Sequence, residues 1–176
     1  MDTIVNYFRD TWKPDYDKFN LSGWKLLDRI PKDARILDVG CGYNLFKPHF
    51  KNLYGIDPAN DNADEVVSIE DFNSVGNQWD YVLCLGSLNF GSREIVQAQV
   101  ERVVSLCAKD GFIIWRQNPG IGDHPWKQVK EIEFFPWTFD DNYQWAEQFN
   151  CTVTQCEWDS GNRIYAEWQK NNIRKL

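Results

Sequence analysis

The stretch that most constrains the fold of this chain is "RILDVGCGYN", residues 35–44. The apolar run "RILDV" is typical of a buried strand, and Asp38 lies close to its end. Gly40 and Gly42 follow at once, and glycine lets a backbone pass close to a ligand because no Cβ fills the space. Asn44 stands where a third glycine is expected, and asparagine tolerates left-handed backbone better than most residues. The stretch predicts a strand and a turn that can hold a nucleotide-like cofactor.

Length and composition limit the class of protein. A chain of 176 residues, 43% of them hydrophobic, is expected to form one globular domain. No run approaches the roughly 18 to 20 apolar residues of a membrane helix, and the N-terminus does not have the pattern of a secretory signal. The five cysteines form no CxxC pair and no even framework, which predicts free thiols in a reducing cytoplasm and no metal site.

The charge balance argues against nucleic-acid partners. The chain has 19 basic and 26 acidic residues, which gives a formal net charge of -7. Proteins that bind nucleic acids usually carry a basic surface that neutralises phosphates. The only basic cluster is the C-terminal "NNIRKL", so the overall field is expected to repel a polyanion.

Strand and helix patterns alternate along the chain. Five nearly continuous apolar segments read as strands of a parallel sheet, at residues 35–39, 53–57, 65–69, 80–85 and 111–115. Residues 151–158 and 163–168 alternate in period two around the turn "DSGN", which predicts an antiparallel hairpin. We therefore expect a single α/β domain whose mostly parallel seven-stranded sheet is closed by a C-terminal hairpin.

Sequence patterns typical of helices precede and separate the predicted strands. An apolar stripe begins at Ile4, a second short helix is expected after Ser22, and a third near residues 45–50. Ser92 is a candidate cap for a long helix that is expected to end at Asp110. Thr138 with Asp141 three residues later resembles a capping box before another helix.

Asp57, in "YGIDP" at the end of the second predicted strand, supports the cofactor hypothesis. An acid at this place accepts hydrogen bonds from two ribose hydroxyls and repels a 2′-phosphate. In the alternative, Asp57 only caps the strand end, and Gly40 and Gly42 serve tight packing. The two features fall at mutually consistent places, which favours binding.

Taken together, "ILDVGCGYN" and "LYGIDP" resemble the first two motifs of class I S-adenosylmethionine-dependent methyltransferases, over roughly residues 34–168. Shorter stretches such as "LGSLNFGS" are similar to compact methyltransferase-like proteins of tailed phages. The resemblance implies a Rossmann-like fold and S-adenosylmethionine as cofactor. It implies one domain, residues 1–176, with an N-terminal helical lid at 1–33 and a core at 34–176. Trp12, Tyr16 and Phe19 fall in the lid, or pack an N-terminal helix onto the sheet, an alternative at least as strong for Trp12; Tyr16, which lies among charged residues, is the better lid candidate.

The resemblance also implies the cofactor residues, which are Asp38, Gly40, Cys41, Gly42, Tyr43, Asp57, Pro58, Asp71, Phe72, Leu85 and Gly86. Asp38 and the backbone at 40–42 hold the methionine end, while Asp57 takes the ribose and Pro58 lies against adenine. Asp71, or its neighbour Glu70, meets the adenine amino group, with the backbone N–H of the following residue beside it. Leu85 and Gly86 close over the methionine chain.

Candidates for the methyl acceptor's contacts follow the fourth and fifth strands, and they are Asn89, Arg116, Asn118 and His124. His124 is a possible general base or only a loop histidine held by Asp123. Neither sequence motif of DNA methylation is present, since Asn118-Pro119 is not the paired-proline motif and Cys84 does not follow a proline. The predicted function is methyl transfer to a small-molecule, sugar or protein acceptor.

Two alternatives stay open. The connections on either side of the third predicted strand have only about ten residues, too few for full crossover helices. This shortening and the absence of an obvious base suit a cofactor-binding protein without methyl transfer. A structural or interaction domain that has kept the fold is the other alternative, and intact Asp38, Gly40, Gly42 and Asp57 argue against it.

Overall fold

The computed structural model describes residues 2–76, 78–120 and 132–172. Within these ranges the helices are α1 (Asp2–Asp10), α2 (Arg93–Leu106) and α3 (Phe139–Gln148), with 3-10 helices at Gly23–Asp28 and Lys47–His49. The strands are β1 (Arg35–Val39), β2 (Asn52–Ile56), β3 (Trp79–Leu85), β4 (Cys107–Gln117), β5 (Cys151–Asp159) and β6 (Arg163–Lys170).

The strands form one mixed sheet in the order β2-β1-β3-β4-β6-β5. Strands β1 to β4 run parallel, and β6 pairs antiparallel with both β4 and β5, so the predicted closing hairpin is confirmed. The chain moves outward from β1 to β2 and then returns to the other side of β1 with β3. The carboxyl ends of β1 and β3 therefore flank the point where the strand order reverses, which is where open α/β sheets bind ligands.

The prediction of seven strands is wrong for the described residues, in which the sheet has six. Of the expected third strand at 65–69, only Glu65 pairs with the sheet, through a single parallel bridge to Ile56. A parallel strand needs cover on both faces. Residues 57–78, which connect β2 to β3, contain no helix in their described part, and Val66 is left 54% exposed.

Side chains cover the outer edge of β2 in place of the missing strand. The Lys47 ammonium donates to the Leu53 carbonyl at 2.6 Å and pairs with the Asp64 carboxylate at 2.7 Å. The Gly55 N–H donates to the same carboxylate at 2.8 Å, and the Gly55 carbonyl accepts the Asp64 N–H at 2.8 Å. The Leu53 carbonyl and both backbone groups of Gly55, which a neighbouring strand could bind, are thus already satisfied.

Two apolar clusters sandwich the sheet. One includes Val100 of α2 and Trp145 of α3, and the other lies under the first 3-10 helix around Leu26 and Phe46. The Thr138–Asp141 capping box is confirmed, with both reciprocal hydrogen bonds present. The helix that begins after Ser92 ends at Leu106, before the expected stop, because β4 already starts at the next residue. None of the helices in the described ranges has the length and apolar character of a membrane-spanning segment.

Candidate cofactor site

The glycine turn after β1 has the backbone that the sequence predicts. Gly40, Gly42 and Asn44 all have positive φ, at 70°, 55° and 55°. The N–H groups of Gly40 and Cys41 donate to the Ile56 carbonyl at 2.8 and 3.0 Å, which joins the turn to the end of β2. A Cβ at Gly40 would lie 2.3 Å from the Ser87 Cβ, so the turn and the segment after β3 approach too closely for any other residue.

Asp57 holds this turn from the end of β2. Its Oδ2 accepts the Gly42 N–H at 2.9 Å, and its Oδ1 accepts the Ala59 N–H at 2.7 Å. The side chain is buried and binds backbone N–H groups, which fits the strand-end cap that the sequence left open. A carboxylate oxygen has more than one lone pair, so both oxygens keep the capacity to accept ribose hydroxyls as well.

Asp38 is the unusual carboxylate of the site. It is 3% exposed, and its Oδ2 has no hydrogen-bond partner among the described residues. Burial, and then the neighbouring Asp57 carboxylate, raises the pKa of Asp38 to about 7. The Ser87 hydroxyl, which follows β3, is buried and likewise without a partner in the described part of the chain. The Asn44 Oδ1 of the turn itself is also buried and without a partner among the described residues. Buried polar groups almost always have partners, so these three atoms at one turn indicate a place for a polar ligand.

Arg116 lies at the same edge of the sheet, at the end of β4. Its guanidinium donates to the Leu85 carbonyl at 3.2 Å and lies 3.9 Å from the centre of the Phe19 ring. A Cβ at Gly86, where φ is 97°, would lie 3.2 Å from the Arg116 Nη2 and 3.9 Å from the Asn89 Nδ2. The structure therefore brings Leu85, Gly86, Asn89 and Arg116 together, and their contacts with cofactor and acceptor stay predictions.

Asn89 and Asn118 are buried and join two loops. The Asn89 Oδ1 accepts the Asn118 N–H at 3.0 Å, and the Asn118 Oδ1 accepts the Gly120 N–H at 3.0 Å. These bonds give both amides a structural role, and their contact with an acceptor stays a prediction. His124 lies outside the described residues.

The predicted adenine residues are less well supported by the geometry. Asp71 is exposed and accepts the Ser68 hydroxyl at 3.1 Å, with no described contact to Asp38 or Asp57. The Phe72 N–H donates to the Ser68 carbonyl at 2.9 Å, and the Phe72 ring is buried. This N–H already has a partner within the chain, and its contact with adenine stays a prediction.

Other predicted residues have different surroundings. Pro58 is exposed beside Asp57, and the Tyr43 hydroxyl donates to the Trp12 carbonyl at 3.4 Å. The Cys41 side chain is buried, and burial raises the pKa of its thiol, so the thiol is no nucleophile at neutral pH. Sequence reasoning missed Ser87, whose only signal is that it follows Gly86 at a strand end.

No protein-family model matches the sequence, and neither does any curated protein. Solved structures do match the fold. Magnesium protoporphyrin IX methyltransferase from Synechocystis, with S-adenosylmethionine bound, is 14% identical with a TM-score of 0.70, covering 97% of this chain and 96% of its own.

A second neighbour is the 1,6-didemethyltoxoflavin-N1-methyltransferase of Burkholderia thailandensis, bound to that compound and S-adenosylhomocysteine. It is 13% identical with a TM-score of 0.73, covering 97% of this chain and 86% of its own. An N-methyltransferase from Bradyrhizobium japonicum, in complex with S-adenosylhomocysteine, is 14% identical with a TM-score of 0.64, covering 86% of this chain and 93% of its own. The chain therefore has the α/β fold of the class I S-adenosylmethionine-dependent methyltransferases.

Proposed function

We propose that the protein is an S-adenosylmethionine-dependent methyltransferase that acts on a small-molecule, sugar or protein acceptor. The observation that carries the proposal is the pair of buried, unpartnered polar atoms, Asp38 Oδ2 and Ser87 Oγ, beside the Gly40–Gly42 turn. An ammonium group and a carboxylate need such an acceptor and such a donor, and the methionine end of S-adenosylmethionine has both.

The residues present fit this cofactor. Asp38 and Ser87 would hold the methionine end at the carboxyl ends of β1 and β3, and Asp57 would accept the ribose hydroxyls at the end of β2. The positive φ values of Gly40 and Gly86 keep side chains out of the space between these strands. When bound, the cofactor supplies an electrophilic methyl group on a sulfonium. The protein's part is then to hold the acceptor in line with that group and to exclude water.

The class of methyl acceptor is inferred from the charges of the protein and from the names of the structurally similar enzymes. Two of the neighbouring enzymes are named for small-molecule substrates, a porphyrin and a toxoflavin precursor. Arg116 places a positive charge at the edge where the acceptor would enter, which suits an acceptor with a carboxylate or another anionic group. The net charge of -7 disfavours nucleic acids. The five free cysteines suit a reducing cytoplasm.

S-adenosylhomocysteine is expected to raise the melting temperature of the protein, because a ligand that binds only the native state stabilises it by mass action. NAD is the matched control, since it also carries adenine and ribose but lacks the methionine end that Asp38 and Ser87 would bind. A thermal-shift series over ligand concentration measures the effect. Stabilisation by NAD and none by S-adenosylhomocysteine would contradict the proposed cofactor.

Asp57→Ala is expected to weaken S-adenosylhomocysteine binding and also to lower stability. The change removes the acceptor for the Gly42 and Ala59 N–H groups, each worth about 1.5 to 3 kcal/mol when the acceptor is charged. Calorimetric titration gives the affinity, and denaturation in urea gives the free energy of unfolding. An unchanged affinity in the folded variant would show that ribose is held elsewhere.

Methyl transfer itself is tested with labelled cofactor against three pools: nucleic acids, proteins and small metabolites. We expect label in the small-molecule or the protein pool. Salt-sensitive labelling of nucleic acid would contradict the proposed acceptor class. Tight cofactor binding with no labelled product in any pool would favour the alternative of a non-catalytic binding protein.

A further inference from the structure

A groove lies beside β2 and the connection that leads to β3, on the face of the sheet that α2 and α3 cover. Its volume is about 270 Å³. Tyr54, Phe72 and Trp79 line it with aromatic side chains, and Glu65 and Asn73 line it with polar ones. Residues 57–78 form no helix in their described part, and this short connection leaves the groove open to solvent.

The groove is separate from the proposed cofactor site. Trp79 begins β3, whereas Ser87 lies beyond the other end of the same strand. None of Asp38, Asp57 and Ser87 lines the groove. A ligand bound here is therefore not expected to compete with the cofactor, and its binding does not depend on the proposed methyl transfer.

Three aromatic rings give the groove its apolar lining. The Tyr54 ring stacks on those of Phe72 and Trp79, with centroids 6.1 Å apart in both pairs and interplanar angles of 28° and 30°. Rings that are nearly parallel form a row, not the converging walls that enclose an ammonium group. The Lys47 ammonium already lies 6.0 Å from the centre of the Tyr54 ring. The row therefore suits an uncharged apolar face better than a second cation.

Polar groups in the same groove argue against a purely apolar ligand and against an anion. The exposed Glu65 carboxylate accepts the Tyr54 hydroxyl at 3.2 Å, and Asn73 is also exposed. The Trp79 Nε1 is buried and has no hydrogen-bond partner in the described part of the chain. An apolar ligand would shield such groups from water without replacing its hydrogen bonds. The Glu65 charge, in a chain with a formal net charge of -7, repels anions.

We propose that this groove is a binding site for a neutral saccharide. A pyranose ring has apolar C–H groups on its faces, which pack on aromatic rings, and hydroxyls around its rim. A hydroxyl both donates and accepts hydrogen bonds, so one sugar unit can donate to the Glu65 carboxylate and accept the Trp79 N–H. Small-molecule sites usually measure about 300 to 1,000 Å³, so about 270 Å³ suits a single sugar unit of a longer chain.

The test is an NMR titration of the full chain with three neutral hexasaccharides, cellohexaose, maltohexaose and chitohexaose. The Trp79 indole N–H signal is identified as the one that disappears in Trp79→Phe. At least one hexasaccharide is expected to shift this signal saturably in the wild-type protein. Trp79→Phe keeps an aromatic ring but loses the N–H, so the affinity, read from backbone signals around the groove, is expected to fall about two- to tenfold.

Trp158→Phe is the matched control. Trp158 is 57% exposed and lies in β5, at the opposite edge of the sheet from β2. Its replacement should leave the saccharide affinity unchanged. Tyr54→Leu removes the ring that stacks on both neighbours and the hydroxyl that bonds to Glu65, so its loss of affinity should exceed that of Trp79→Phe. Trp79→Phe alone decides if Tyr54→Leu does not fold.

A Trp79 signal that none of the three hexasaccharides shifts would overturn the proposal. A tighter response to tetramethylammonium or to inorganic phosphate would overturn the neutral ligand class, and equal losses in Trp79→Phe and Trp158→Phe would overturn the location. Saturating S-adenosylhomocysteine should leave the saccharide affinity unchanged, and displacement of the saccharide would place it in the cofactor site instead. The titration needs no cofactor, so a failure to bind S-adenosylhomocysteine would contradict the proposed function alone.

Discussion

Asp38→Asn is expected to make the ligand-free protein more stable at pH 8 and at the same time to weaken its binding of S-adenosylhomocysteine. The wild-type carboxylate is 3% exposed, has an unpartnered oxygen and lies near Asp57. Its pKa rises from 3.8 to about 7 on folding, so ionisation in the folded state costs up to about 4 kcal/mol. An amide of the same shape carries no charge and avoids this cost.

The sign of the pH dependence follows from that shift. A group whose pKa is raised in the folded state stabilises the fold fully below its unfolded pKa, and this contribution is lost as pH rises through the folded pKa. Wild-type stability from Asp38 should therefore fall between about pH 4 and pH 7. The advantage of the variant, measured by urea denaturation, should grow from about pH 4 to about pH 7 and stay constant at higher pH. An advantage that is constant with pH, or absent, would contradict this.

Asp38→Asn is expected to weaken ligand binding although it stabilises the ligand-free protein. The ionised carboxylate is the counter-charge proposed for the ammonium of the methionine end, and charge-assisted hydrogen bonds contribute about 1.5 to 3 kcal/mol. Affinity should fall by at least about tenfold, as measured by calorimetry at pH 8. Asp80→Asn is the control. Asp80 lies at the other end of β1, away from the proposed site, and hydrogen bonds from Arg35 lower its pKa instead of raising it. That variant should lose a little stability and bind normally.

Gly40→Ala is expected to cost about 2 to 5 kcal/mol of unfolding free energy. The new Cβ would meet the Ser87 Cβ at 2.3 Å, and overpacking of this kind costs about 1 to 3 kcal/mol. The φ of 70° adds about 1 to 2 kcal/mol for any residue with a side chain. Urea denaturation measures the loss, and failure to obtain folded protein agrees with the upper end.

Gly76→Ala is the matched control for the cost of placing a side chain at a positive φ. Gly76 has a φ of 71°, and a Cβ there would meet no atom within 4 Å. The difference between the two variants isolates the close approach of the β1 turn to Ser87. Equal losses would contradict that approach, and with it the geometry proposed for the methionine end.

Features encoded by neighbouring residues could be predicted from the sequence. The left-handed turn at Gly40 and Gly42, the strand-end position of Asp57 and the Thr138 cap all depend on a few consecutive residues. The period-two pattern around "DSGN" likewise specified the β5–β6 hairpin. Each pattern has a local physical cause, so the sequence alone is enough to predict the structure that it forms.

The features that could not be predicted from the sequence depend on partners that are distant along the chain. "EVVSI" has the composition of a strand, but whether it joins the sheet is decided by cover that the short connection does not supply. Beyond the single bridge at Glu65, the segment does not pair with the sheet. Ser87 lies against the β1 turn, which is distant in sequence, and no sequence pattern marks its buried hydroxyl. Asp159 anchors residues up to 139 positions away, and no sequence pattern marks that pairing.

The side chains along the outer edge of β2 have a consequence for the protein in a crowded solution. A sheet that ends on an open strand is a template to which other chains add, and such addition can continue into fibrils. Here Lys47 and Asp64 already occupy the hydrogen-bonding groups of Leu53 and Gly55, and both carry charges that a docking strand would have to bury. These charged side chains are therefore expected to disfavour the addition of another strand at that edge.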